Sequence, residues 1–139
     1  LELRPSALTE SSLVDLLRQL ARGISSRTEI QVDIRVEGER ELPAEVQIAL
    51  YRIAQEALNN VAKHSGASHA QVDLTLAEER ITLNISDNGR GFDPWAKARN
   101  HYGLRIMGER AVDIGAQLRI DTIPGHGTQI FTVWTAEEA

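Results

Sequence analysis

Residues 71–87 read QVDLTLAEERITLNISD, and two short runs inside them decide the class of fold. Val72, Leu74 and Leu76 alternate with polar residues, Ile81, Leu83 and Ile85 do the same, and the polar Glu78-Glu79 lies between the runs. A period of two sends successive side chains to opposite faces, so each run is a strand with one apolar face. Two such strands joined by so short a polar link form an antiparallel hairpin. Upstream, Ile30, Val32, Ile34 and Val36 alternate with Glu29, Gln31, Asp33 and Arg35, which gives another half-buried strand over 29–36. Downstream, strands are expected near 117–122 and 128–134, separated by Pro124-Gly125-His126-Gly127.

The segments between carry the helical period instead. Val46, Leu50, Ile53, Ala54, Ala57, Leu58 and Val61 define a long amphipathic helix with Pro43 in its first turn and Ser65-Gly66 at its end. Leu13, Leu16, Leu17 and Leu20 define a shorter one, capped by Thr9 and ending near Gly23. A third runs from about Gly103 to Ile114, turns Leu104, Met107, Ala111 and Ile114 inward, and stops at Gly115. The polar stretch from Asp93 to Asn100 has little pattern and is expected to be mobile. The order helix, strand, helix, hairpin, helix, hairpin implies an α/β (α+β) two-layer sandwich, a mixed, mainly antiparallel sheet with helices on one face. Strands do not alternate regularly with crossover helices, which argues against a doubly wound sheet.

Composition narrows the function classes. At 139 residues the chain has the length of one ordinary domain, so 1–139 is expected to be a single unit. It contains no cysteine, which removes disulfides, thiolate catalysis and Cys-ligated zinc and fits a reducing, cytoplasmic setting. Fifteen Lys+Arg against twenty Asp+Glu leave a net charge of -5, which disfavours non-specific attraction to nucleic acid or anionic lipid. No apolar run approaches the ~18 residues of a membrane helix, and Leu1-Glu2-Leu3-Arg4-Pro5 has no signal-peptide layout. Neither nucleic acid nor direct membrane contact is expected. The first residue is not methionine, so the chain is read as a segment of a longer polypeptide.

Chemistry concentrates in four places. On the long helix, Glu56 and Asn60 are four apart and share a face, with Lys63 and His64 one turn further along. A carboxylate, an amide oxygen and an ammonium in that order suit a magnesium-phosphate group; taken alone, the same residues are an ordinary solvated helix face. Asp87-Asn88-Gly89-Arg90-Gly91 leaves a strand with glycines that let backbone approach a ligand, or else forms a simple turn. A helix start near Gly103 offers free N–H groups to an anion. Gly125-His126-Gly127-Thr128 is by itself a turn. His64, His69, His101 and His126 show no zinc spacing such as HExxH, and neither a GxxxxGK[ST] phosphate loop nor a GxSxG elbow is present.

Together, in this order and spacing, the four segments resemble the ATP-binding catalytic domain of sensor histidine kinases, in the superfamily shared with type II topoisomerase ATPase subunits, heat-shock chaperones and mismatch-repair ATPases. Glu56 to His64 looks like the family's N box, Asp87 to Phe92 like its first glycine box, Gly103-Leu104-Arg105-Ile106-Met107 like the second and Gly125 to Thr128 like the third. The likeness spans roughly residues 43 to 135. The wording Gln55-Glu56-Ala57-Leu58-Asn59-Asn60 with Lys63-His64, and His101-Tyr102-Gly103-Leu104 with Met107, is similar to the nitrate-sensor and membrane-fluidity-sensor branch. His101 stands where the commoner second box has an extra glycine, and the short loop from Asp93 to Tyr102 implies a small lid.

The resemblance implies a Bergerat-type fold that binds ATP with Mg2+. Asp87 would accept a hydrogen bond from the adenine amino group with support from Thr128, while Gly89 and Gly91 keep side chains away from the base. Asn60 would ligate magnesium, and Glu56 would activate or position the nucleophile. Lys63 would meet phosphate, with Arg90, Arg105 and Arg110 as lesser candidates; His64, Gly103, Leu104, Met107, Gly125 and Gly127 complete the nucleotide site. The phosphoacceptor histidine would lie on a separate dimerisation domain of the same parent kinase, and the onward partner would be a response regulator with a helix-turn-helix output domain. The isolated chain would be largely monomeric. Other readings are another ATPase or a serine kinase of the superfamily, a nucleotide-sensing module without catalysis, and a structural domain with coincidental motifs.

Overall fold

The computed structural model describes residues 7–91 and 101–136. In chain order they form α1 (Ala7–Glu10), α2 (Leu13–Arg27), β1 (Gln31–Gly38) and α3 (Ala44–Asn60), which runs on into a π-helical turn (Val61–Ser65). Then come β2 (His69–Leu76), β3 (Arg80–Asp87), α4 (His101–Asp113), β4 (Gln117–Thr122) and β5 (Thr128–Thr135). The Asp93–Asn100 stretch lies outside the described residues.

The five strands make one sheet in the order β1-β2-β3-β5-β4. β1 pairs parallel with β2, and the other neighbours pair antiparallel. A parallel pair needs a crossover, and α3 supplies it between β1 and β2. The hairpin register sets Val72 opposite Ile85, Leu74 opposite Leu83 and Leu76 opposite Ile81, so one face is apolar along its length. On that face Val72, Leu74, Ile81 and Leu83 are buried against Leu17 and Ile24 of α2 and Leu50, Ile53 and Leu58 of α3. The opposite face carries Gln71, Asp73, Thr82 and Asn84. The architecture is the mixed, mainly antiparallel sheet with helices on one face that the strand pattern implies. No described helix is long and apolar enough to cross a membrane.

The first helix departs from expectation at both ends. Ser12, not Thr9, is its cap: the Ser12 hydroxyl accepts the Asp15 N–H at 3.1 Å, and Thr9 belongs to the separate turn α1. The helix passes through Gly23 to Arg27. A mid-helix glycine costs roughly 0.5–1 kcal/mol relative to alanine, which the full burial of Ile24 outweighs. Its last carbonyls are also satisfied, since the Thr28 hydroxyl donates to the Ile24 carbonyl at 2.8 Å and Arg27 Nε donates to the Gly23 carbonyl at 3.1 Å. β1 begins and ends two residues later than the alternation alone indicates, and Pro43 is the cap of α3 rather than a residue inside its first turn. α4 already includes His101, two residues before Gly103.

Candidate functional site

The long helix brings its apolar stripe to an end at the edge of the sheet, and a cleft opens there. Ala57, Asn60, Val61 and His64 form one wall, Leu104 of α4 forms the other, and Ile85, Asp87, Thr128 and Ile130 of β3 and β5 form the floor. Counting its open mouth, the cleft holds about 480 Å³ of empty space. The floor is a product of sheet register: Asp87 is the direct cross-strand partner of Thr128, and Ile85 of Ile130. Residues from four separate stretches of sequence, Asn60 and His64, Asp87 and Gly91, Leu104, and Thr128, thereby line one cavity.

The π-helical turn decides which side chains of α3 face it. A π turn closes i→i+5 instead of i→i+4 bonds and so shifts the angular phase of the residues beyond it. Extrapolating the α-helix puts Lys63 and His64 on the same side as Asn60; in the structure His64 lines the cleft, whereas Lys63 is exposed and outside its lining. Ser65, which sequence reasoning treats only as a stop signal, lines the cleft and donates its hydroxyl to the Val61 carbonyl at 2.6 Å.

Glu56 and Asn60 lie beside the cleft under the first turn of α4. A Cβ placed on Gly103 would be 3.1 Å from both Asn60 Nδ2 and Glu56 Oε2, so the two side chains meet at the glycine. Met107 is fully buried in the core, with Ala111 one turn on. Gly89, Gly91 and Gly127 each have a packing reason for lacking a side chain. A Cβ on Gly89 would overlap the Ser65 carbonyl oxygen and lie 2.8 Å from Asp87 Oδ1. One on Gly91 would be 2.9 Å from the Gly127 carbonyl oxygen, and one on Gly127 would overlap the carbonyl oxygen of Asp87. Gly91 and Gly127 also have φ of 64° and 84°, a region that costs other residues strain. These glycines let two loops pack backbone to backbone around Asp87. Gly125 meets nothing within 4 Å, but its N–H donates to the Arg90 carbonyl.

Asp87 is half-buried, and desolvation lifts its carboxyl above the ordinary 3.8; hydrogen bonds from the backbone amides of Gly89, at 2.8 Å, and Thr128 pull the other way. Two opposed effects thus hold an ionisable acceptor on a largely apolar floor. Arg90 bonds to the end of the π-helical turn: its Nε donates to the His64 carbonyl at 3.0 Å and its backbone N–H to the Ser65 carbonyl at 2.8 Å. Arg105 pairs with Glu109 on the exposed side of α4.

Residues 45–139 match the family described as Histidine kinase-, DNA gyrase B-, and HSP90-like ATPase. The chain belongs to that family. A signal transduction histidine-protein kinase/phosphatase, DegS, from Brevibacillus brevis is 39% identical over 130 residues, which are 93% of this chain and 34% of DegS. The sensor protein VraS of Staphylococcus saprophyticus is 36% identical over 130 residues, 94% of this chain and 37% of VraS. The chain therefore spans about a third of the length of these relatives. The solved mycobacterial sensor histidine kinase MprB shares the fold at a TM-score of 0.68 and 20% identity, with 90% of this chain and 95% of that chain covered.

Within this ATPase family the geometry divides into two ends. Asp87 offers an anionic acceptor at the apolar floor, suited to a donor on a flat heterocycle. Glu56 and Asn60 offer two oxygen donors beneath the first turn of α4, suited to polyphosphate with a hard cation. Among the described residues no group of three His, Cys, Asp or Glu forms a ready-made metal cage.

Proposed function

We propose that this chain is the catalytic part of a sensor histidine kinase, of the nitrate-sensor and membrane-fluidity-sensor branch, that binds ATP with Mg2+ and passes the γ-phosphoryl group to a histidine on a separate dimerisation domain. The observation that carries the reading is the half-buried Asp87 carboxylate on the cleft floor, held by the Gly89 and Thr128 amides opposite Leu104. An adenine amino group placed there donates to the carboxylate. A 6-oxo purine presents an acceptor to an acceptor and leaves a buried charge unpaired, which rejects it by a few kcal/mol, roughly.

The triphosphate then points toward Asn60 and Glu56. Magnesium, when bound, neutralises charge on the phosphate oxygens, and the Asn60 amide oxygen is the side chain to hold it. Glu56, one turn back on α3, is placed to orient the incoming imidazole and accept its proton as the N–P bond forms and the bond to the ADP oxygen breaks. The amides at the start of α4 face the same end and favour anions. The phosphorylated histidine would serve a response regulator with a helix-turn-helix output domain.

Incubating the chain with a phosphoacceptor dimerisation domain and γ-labelled ATP tests this. Acid-labile, base-stable label on histidine is expected, reduced at least about a hundredfold by Glu56→Gln. Acid-stable phosphoserine on a partner would move the chain to the serine-kinase reading, and ATP binding with no transfer to any acceptor would leave a nucleotide sensor.

A further inference from the structure

A chain leaving a strand end can continue in many directions, so the orientation of a side chain at that end has to be fixed by the residues next in the chain. β3 ends at Asp87, and Asn88 is the next residue. Asn-Gly after an aspartate reads as ordinary turn chemistry, yet each polar group of Asn88 with a partner in the structure is used on one neighbouring segment. Its Oδ1 accepts the N–H groups of Ser68 and His69, both at 3.0 Å, and its Nδ2 donates to the Ser68 hydroxyl at 2.9 Å. Its own N–H donates to the His69 carbonyl at 3.2 Å, which carries the β2–β3 pairing one step past Asp87. None of these bonds reaches the cleft, whose lining does not include Asn88.

The consequence falls on Asp87. With residue 88 tied to the start of β2 on one side, and Arg90 tied to the Ser65 and His64 carbonyls on the other, the Gly89 amide between them is held 2.8 Å from Asp87 Oδ1. Together with the bond from the Thr128 amide, that bond orients the carboxylate. We infer that Asn88 is a positioning residue for base recognition, acting through Gly89 and Asp87 on the choice between a 6-amino and a 6-oxo purine. The inference rests on the reading of Asp87 proposed above. Asparagine suits the position because a single side chain must accept two backbone N–H groups and donate to a hydroxyl.

The test is calorimetric titration of the chain with ATP and with inosine triphosphate, in which a 6-oxo group and an N1–H replace the 6-amino group and the unprotonated N1 of ATP. Asn88→Ala is expected to weaken ATP about tenfold, the size of one or two lost hydrogen bonds, and inosine triphosphate much less, so the ratio of the two affinities shrinks. Asn88→Asp keeps both acceptor bonds, and the Ser68 hydroxyl can rotate to donate, so the parent ratio returns even if the added charge lowers both affinities. Equal weakening of the two nucleotides by Asn88→Ala, no weakening of either, or an Asn88→Asp ratio as small as that of Asn88→Ala overturns the inference. If Asn88→Ala does not fold, Asn88→Ser replaces it under the same criterion. Asp87→Asn separates the two claims. If that variant keeps the parent ratio, the reading of Asp87 itself has failed; if it loses the ratio while Asn88→Ala keeps it, only the positioning role has.

Discussion

The two helices that wall the cleft are held very differently. α3 has 17 residues and buries nine of them, from Val46 to Leu58, between the sheet and the first helices. α4 has 13, and among its described residues the buried positions Gly103, Met107 and Ala111 form a line four residues apart, with Val112 beside that line 77% exposed. A helix embedded on most of its circumference cannot shift without opening the core, whereas one resting on a line of contact can be displaced at much lower cost. The side chains assigned to chemistry, Glu56 and Asn60, ride on the embedded helix. The surface that covers them rides on the other.

Truncating each helix at its most buried point tests that contrast most strongly. Leu58→Ala, at a fully buried position of α3, is expected to cost about 2–5 kcal/mol in chemical denaturation. Met107→Ala, also fully buried, is expected near the bottom of that range, about 2 kcal/mol, because α4 can settle into the space. Equal costs would mean that α4 is as firmly embedded as α3. A sharper comparison uses the two glycines of α4. Gly103→Ala would push a methyl group against Glu56 and Asn60, whose half-exposed side chains can give way. Stability should change by less than about 1 kcal/mol, while ATP-dependent phosphoryl transfer falls about tenfold through misplacement of the pair. Gly108→Ala meets nothing within 4 Å and should stabilise the chain by about 0.5–1 kcal/mol without altering transfer. If both variants transferred phosphate at the parent rate, the contact between Gly103 and the pair would have no functional weight.

The smallest effect concerns the floor between the helices. Desolvation raises the folded-state pKa of Asp87 above the ordinary 3.8. A raised carboxyl binds more protons in the folded than in the unfolded state, so it lowers stability as pH rises through that interval and leaves a constant cost above it. Asp87→Asn removes the titration but keeps one acceptor oxygen. The melting-temperature difference between variant and parent, without nucleotide, should thus shift in favour of the variant between pH 4 and pH 7. A difference independent of pH would show that the carboxylate is as well solvated on the floor as in the unfolded chain.

The periodic parts of the molecule were legible residue by residue. The stripe from Val46 to Val61 is buried as spaced, and the hairpin alternation fixes both the strands and the face they bury. Non-periodic features were not legible in that way. The switch to a π turn after Asn60 has no composition signal in Val61-Ala62-Lys63-His64-Ser65, yet it parts Lys63 from His64. Ile85 reads as a plain core position and Ile130 simply falls in the strand expected near 128–134, and only their place at one end of the sheet makes them the floor of a cleft. Asn88 and Arg90 read as turn and phosphate chemistry, and both spend hydrogen bonds on the segment between α3 and β2.

Local sequence determined the elements, because burial imposes a repeat of two or of three to four residues that any stretch displays on its own. It also named the polar groups proposed to carry chemistry, through four short motifs. Which of those groups face one another depended on quantities that belong to no single segment: the phase change at the end of α3, the register that sets Asp87 against Thr128, and the bonds that tie 88 and 90 to 64–69. These are long-range pairings, and their outcome exists only once the whole sheet and its helices have packed.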